Sequence, residues 1–182
     1  MASLKRGADL FSAYCAGCHA TKYVRYERVA KDLNLSLEYV KEHYMFNTEQ
    51  VGSTMLTAMP ADLAEKWFGT TPPDLTLEAN LRGADWLYSY LIGFEADSSR
   101  PWGYNNRIFK DVGMPNVLAG LKSELGNEKF KVAMGDLTNY MAYIADPAKA
   151  EREALGVKVI IFLFILLIPA YLLKREYWKD VH

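Results

Sequence analysis

From Ala154 to Leu173 the chain reads "ALGVKVIIFLFILLIPAYLL", an apolar run of roughly 20 residues, the length an α-helix needs to cross the hydrocarbon of a bilayer. Lys158 is its only charge and lies one turn from the start, where a long side chain reaches back to the headgroups. Pro169 sits near the other end, where a membrane helix tolerates a kink. A soluble core helix of this length is expected to show a polar face, and "VIIFLFILLIPAYLL" has none. A signal peptide would stand at the amino end instead. The run is therefore a predicted membrane span, and it divides the chain. We expect an extracytoplasmic head over 1–146, a polar bridge over 147–156, a transmembrane helix over 157–173 and a cytoplasmic tail over 174–182. Orientation follows from the flank "LKREYWKDVH": Tyr171, Tyr177 and Trp178 are interfacial aromatics, and Lys174, Arg175 and Lys179 form the basic side that stays in the cytoplasm. The whole chain carries −1, and residues 157–182 contribute about +2, leaving about −3 on the head, which argues against nucleic acid as a partner.

The head holds both cysteines of the chain within "FSAYCAGCHATKY". Three chemistries compete for Cys15, Cys18 and His19. A thioredoxin-like dithiol normally heads a helix within alternating strands and helices, a pattern that this sequence lacks. A structural zinc needs four ligands, and beyond His19 the remaining histidines are His43 and His182. The Cys-x-x-Cys-His spacing suits covalent attachment of a c-type haem: two thiols add across the two vinyl groups, and the adjacent imidazole reaches the iron. That reading uses all three residues at once. In bacteria such attachment takes place outside the cytoplasmic membrane, the side on which the charge asymmetry already puts the head. An exported head implies an export signal; "MASLKRG" has no apolar stretch, so the signal is expected to have been cleaved or omitted.

Helical spacing dominates the rest of the head. "SLKRGADLFSAY" puts Leu4, Ala8, Phe11 and Tyr14 or Cys15 on one side, with Ser3 as the expected cap. "GADWLYSYLIGF" repeats Trp86, Leu87, Tyr90, Leu91 and Phe94, and "KVAMGDLTNYMAYIAD" aligns Val132, Leu137, Tyr140, Met141 and Ile144 before Pro147. No strand alternation and no internal repeat stands out. The fold class is mostly α, a head with long Pro- and Gly-rich loops plus one C-terminal transmembrane helix.

A second axial ligand would decide between electron transfer and an open, ligand-binding iron. Met1 is terminal, Met134 and Met141 sit in a helical stripe where a thioether usually fills space, and Met45 and Met55 lack supporting context. Met59 in "LTAMPAD" and Met114 in "DVGMPNV" are each followed by proline, which keeps the methionine in extended backbone as a ligand arriving from a loop requires. By residue chemistry the two tie.

Longer blocks go further. "RGADLFSAYCAGCHATKYVRYERVA", "WFGTTPPDLTLEANLRGADWLYSYLIGFE", "VGMPNVLAG" and the C-terminal span with "KREYWK" together resemble the cytochrome c1 family, the haem-bearing subunit of the quinol:cytochrome c oxidoreductase (cytochrome bc1 complex), in its compact bacterial form. The resemblance runs in order along nearly the whole chain. It implies one covalent haem c, with Cys15 and Cys18 as thioether attachments, His19 as proximal ligand and Met114 as distal ligand, because the family's methionine follows the "PPDL" and "ADWLYS" blocks and Met59 precedes them. It implies a basic residue on a haem propionate, and Arg82 stands near the matching place, with a solvated helix-end cation as the alternative reading. Trp86, Tyr90 and Trp102 are candidates to pack the haem edge, with ordinary core packing equally open to each, and Pro72 and Pro73 would shape the pocket wall.

The function implied is transfer of electrons from the Rieske iron–sulfur protein to a soluble or anchored c-type cytochrome, in the bacterial inner membrane with the haem domain in the periplasm. Cytochrome b would lie beside the anchor, in a dimeric complex. Quinol oxidation would belong to that complex rather than to this subunit alone. Two alternatives stay open at this stage: a free-standing anchored electron carrier, and a haem enzyme or sensor with an open iron site.

Overall fold

The computed structural model describes residues 1–180. Helix α1 (Ala2–Tyr14) buries Gly7, Ala8, Phe11 and Ser12 on the face that the spacing predicts. Ser3 does not cap it. The N-cap is Met1, with no side-chain bond, and Ser3 lies within the helix. The chain then passes through strand β1 (Thr21–Arg25), α2 (Tyr26–Asp32), α3 (Leu37–Tyr44), strand β2 (Thr54–Met55) and α4 (Ala61–Phe68). Next come α5 (Glu78–Arg82), α6 (Ala84–Ile92), strands β3 (Phe94–Ala96) and β4 (Tyr104–Asn106), and α7 (Ala119–Ala145). Strands β1 and β2 pair antiparallel with an irregular register, and β3 pairs with β4 antiparallel, Phe94 opposite Asn106. Runs of two to five residues are too short to display the two-residue period by which a strand is read.

The head is organised on α7, against which α1, α5 and α6 all pack. This helix starts at Ala119, well before its recognisable stripe, because Gly126 at φ 71° and ψ 168° breaks the periodicity within it. The inward stripe is Phe130, Met134, Leu137, Tyr140, Met141 and Ile144. Val132, expected on that stripe, is 64% exposed: two residues past Phe130 is about 200° around the helix. The helix stops at Ala145, since Pro147 disfavours helical backbone at Asp146, which sits at φ −151° and ψ 71°.

Helices α1 and α7 approach until their backbones nearly touch. A Cβ on Gly7 would lie 2.1 Å from the Asp136 carbonyl oxygen and 2.7 Å from Tyr140 Cβ. Around that contact Arg6 donates from Nε and Nη2 to Asp136 at 2.6 and 2.9 Å, and Ser3 Oγ donates to Asp136 Oδ1 at 2.6 Å. That bond explains why Ser3 is not a cap: its hydroxyl serves a partner across the helix pair. Phe11 packs on Tyr140 with ring centroids 5.6 Å apart. Burying such side chains away from water stabilises each by roughly 1.5–3 kcal/mol. The same core takes in Val29 of α2 and Val40 of α3.

Residues 1–146 and the segment from Pro147 onward are two separate compact units. In the second, α8 (Lys149–Tyr177) runs for 29 residues with Pro169 inside it. Its stretch Glu151–Tyr177 is the one helix among the described residues long and apolar enough to cross a membrane, with mean hydropathy 2.5 and none of the apolar window buried by protein. Most of the polar stretch 147–156 is thus helical. Of the tail 174–182, residues 174–177 continue the helix, and residues 181–182, including His182, lie outside the described residues.

Candidate haem site

The end of α1 delivers the first three functional side chains. Cys15 is the C-cap of that helix, its N–H donating to the Phe11 carbonyl at 2.9 Å. The chain then coils once more: Cys18 and His19 both donate their N–H to the Cys15 carbonyl, at 3.0 and 2.8 Å. One turn therefore gathers two thiols and an imidazole on one side. Both cysteines are free thiols, Cys15 buried and Cys18 half-buried. Burial pushes the Cys15 thiol up to about 12, with Cys18 adding to it, and raises Cys18 as well, so both remain neutral sulfurs.

These three side chains line a cavity of about 320 Å³, within the size range of small-molecule sites. Pro73, Arg82, Trp86, Tyr90 and Met114 line it too. His19 Nδ1 lies 2.8 Å from the Pro73 carbonyl oxygen. A carbonyl only accepts, so Nδ1 carries the proton and Nε2 keeps its lone pair. Burial lowers the His19 pKa, against the smaller opposing pull of Pro73, Glu78 and Asp74, and the neutral imidazole is the ligating form. His43 belongs elsewhere: it stacks on Tyr39 at 4.0 Å, with Nδ1 3.0 Å from the Tyr39 carbonyl. Among the described residues no group of three or more His, Cys, Asp or Glu is arranged to hold a bare metal ion.

Met114 reaches the cavity on a loop fastened by side chains. Asn106, 1% exposed, donates from Nδ2 to the Tyr90 carbonyl at 2.8 Å, and its Oδ1 accepts from the N–H groups of Ile108 and Phe109 at 2.9 and 3.3 Å. Asn105 Oδ1 accepts from the Asp111 N–H at 2.9 Å. Arg100 donates to Asp111 Oδ1 at 3.0 Å and to the Val112 carbonyl at 3.3 Å. The Met114 sulfur accepts from the Tyr90 hydroxyl at 3.3 Å. Met59 is not part of the cavity lining. Its N–H is held by Thr57 Oγ1 at 3.2 Å, and that hydroxyl in turn donates to the Gly17 carbonyl at 2.9 Å.

Arg82 pairs through Nε with Glu78 at 2.9 Å, and its guanidinium lies 4.5 Å from the Trp86 ring centroid and 5.7 Å from that of Phe109. Trp86 stacks on Tyr90 at 5.3 Å. Burial pushes the Tyr90 hydroxyl up to about 12, with Arg82 pulling the other way, so it stays a donor. Trp102 is not in the lining; it packs at 5.7 Å against Phe68, which is. Pro72 and Pro73 both form wall. The cavity also takes residues that the sequence reading missed. Glu78 could have been found as the carboxylate four positions before Arg82. Phe68, the last residue of α4, and Phe109, from the methionine loop, arrive without any local signal. Met141 serves both the helix stripe and the cavity wall.

Two free thiols, a neutral imidazole with Nε2 available, a thioether and an apolar cavity form the donor set of a His/Met c-type haem, and the residues present fit that group. Comparison with known proteins supports a covalent c-type haem as well. Residues 1–181 match the model of the Cytochrome C1 family. Cytochrome c1 of Allochromatium vinosum is 40% identical over 208 aligned residues, covering 100% of this chain and 85% of that protein. A protein named ammonia monooxygenase gamma subunit, from Nitrosomonas europaea, is 39% identical over 99% of this chain and 84% of its own length. Cytochrome c1 of Rhodospirillum rubrum is 29% identical over 98% of this chain and 81% of its own length. Proteins of this family are membrane-anchored and carry covalent c-type haem, as the motif and the apolar helix require. The chain belongs to the cytochrome c1 family.

Proposed function

We propose that this chain is the haem-bearing subunit of a respiratory cytochrome bc1 complex and passes electrons from the Rieske iron–sulfur protein to a soluble or anchored c-type cytochrome. The observation that carries this reading is that Cys15, Cys18 and His19 wall the same cavity as Met114, brought together from distant parts of the chain. A bound haem c supplies a one-electron iron couple. Cys15 and Cys18 would hold it through thioethers. His19 Nε2 and the Met114 sulfur would ligate its iron, and the Pro73 carbonyl fixes the imidazole tautomer. Arg82, braced by Glu78, offers its guanidinium to a propionate, the kind of charge-assisted bond that arginine makes well. With two protein ligands on the iron, the subunit would move electrons and break no substrate bond.

The domain organisation that goes with this function is a haem domain over 1–146, a bridge over 147–156, a membrane segment over 157–173 and a tail over 174–182. The basic flank supports a cytoplasmic tail and a haem domain in the periplasm of a bacterial inner membrane. Cytochrome b is the neighbour of the anchor, and the complex is dimeric. Purification from detergent-solubilised membranes tests the whole reading. The chain is expected to keep its haem on a denaturing gel and to bring a b-type cytochrome and a Rieske protein with it. Purification alone with full haem would point to a free-standing carrier instead. Rapid carbon monoxide binding to the reduced native protein would show an open iron position.

A further inference from the structure

The Tyr90–Met114 contact is held from both ends. On the donor side, the Tyr90 ring stacks on Trp86 at 5.3 Å and 10°, and meets Phe94 edge-on at 5.4 Å and 70°. On the acceptor side, Asn106 ties the Tyr90 carbonyl to the N–H groups of Ile108 and Phe109, on the path to Met114. Helix α6 and the methionine loop therefore form one frame, and that frame aims a phenolic O–H at a sulfur 3.3 Å away. A thioether is a weak acceptor, and a half-buried hydroxyl is expected to find a partner. Here the partner that the fold supplies is Sδ.

We propose that Tyr90 is a positioning residue for Met114: its hydroxyl holds one lone pair of the sulfur, turns the other toward the iron, and draws electron density out of the thioether. This rests on Met114 as the distal ligand. A poorer sulfur donor stabilises ferric iron less than ferrous, so the hydrogen bond raises the reduction potential. Nothing is oxidised or reduced at the tyrosine itself, and its proton stays on oxygen.

The test uses the holoprotein in its membrane complex. Tyr90→Phe keeps the ring and removes only the hydroxyl. It is expected to keep the near-infrared sulfur-to-iron band while shifting the one-electron equilibrium toward the oxidised form by roughly threefold, a fall of about 30 mV at 59 mV per decade. Site-specific fluorotyrosine at position 90, a stronger donor with the same ring, is expected to shift the potential the opposite way. Met114→Leu is expected to abolish the band, and in that background Tyr90→Phe is expected to have no further effect on the potential. An unchanged potential in both Tyr90 variants, with the band still lost in Met114→Leu, would overturn the role of Tyr90 and leave the ligand assignment standing. Survival of the band in Met114→Leu would overturn both.

Discussion

Met59 and Met114 share the same local grammar, a methionine before proline, and the fold separates them by placing one in the cavity lining and the other on a turn held by Thr57. Met59→Leu is accordingly expected to leave the sulfur-to-iron band intact, which near-infrared absorption of the oxidised protein checks. Asn106 is the residue whose loss is expected to disturb the site most without touching the ligands. Its side chain satisfies one carbonyl and two N–H groups at 1% exposure, so Asn106→Ala is expected to cost roughly 2–3 kcal/mol, measured by denaturant unfolding, and to weaken the band before global unfolding. The cysteines and His19 were legible because their spacing follows from the porphyrin itself. Asn106 and the Tyr90 hydroxyl were not, since neither role exists until α6 and the methionine loop come together. Phe68 and Phe109 were hidden because each reaches the cavity only once α4 and the methionine loop are brought to it by the fold.

Helix α1 meets α7 through a glycine that admits no side chain. Gly7→Ala would drive a methyl into the Asp136 carbonyl, and because the obstacle is backbone the helices must separate; a loss of about 2–3 kcal/mol in denaturant unfolding is expected. Acid is expected to loosen the same helix. Burial acts to raise both Asp136 and Asp9, but bonds from Arg6 and Ser3 in the first case, and from Tyr44, Lys5 and Tyr39 in the second, leave both pKa values lowered. A carboxyl with a depressed folded pKa stabilises fully above the ordinary carboxylate range and loses that contribution as pH falls through it. Protection factors of the α1 amides, which correct for the intrinsic pH dependence of exchange, are therefore expected to fall below about pH 4 and stay flat between pH 5 and 7. Among the elements, α1 and α6 were readable from their apolar spacing. The amino half of α7 was not, because Gly126 interrupts its period, and the four strands were too short to carry one.

The division of the molecule into a head and an apolar helix was the most legible feature of all, since hydrocarbon thickness imposes a length that few soluble segments reach. Cutting the chain after Asp146 is expected to yield a soluble protein that still stains for haem on a denaturing gel, because the head encloses its own core and every proposed ligand. That core has one topological peculiarity: its largest helix pair joins the two extremes of the head. Closing a loop of that length costs on the order of 4 kcal/mol in chain entropy, which local contacts cannot offset in advance. A growing polypeptide that has not yet reached Tyr140 lacks the ring that packs on Phe11, so the α1–α7 pair can close only when synthesis of the head is all but finished.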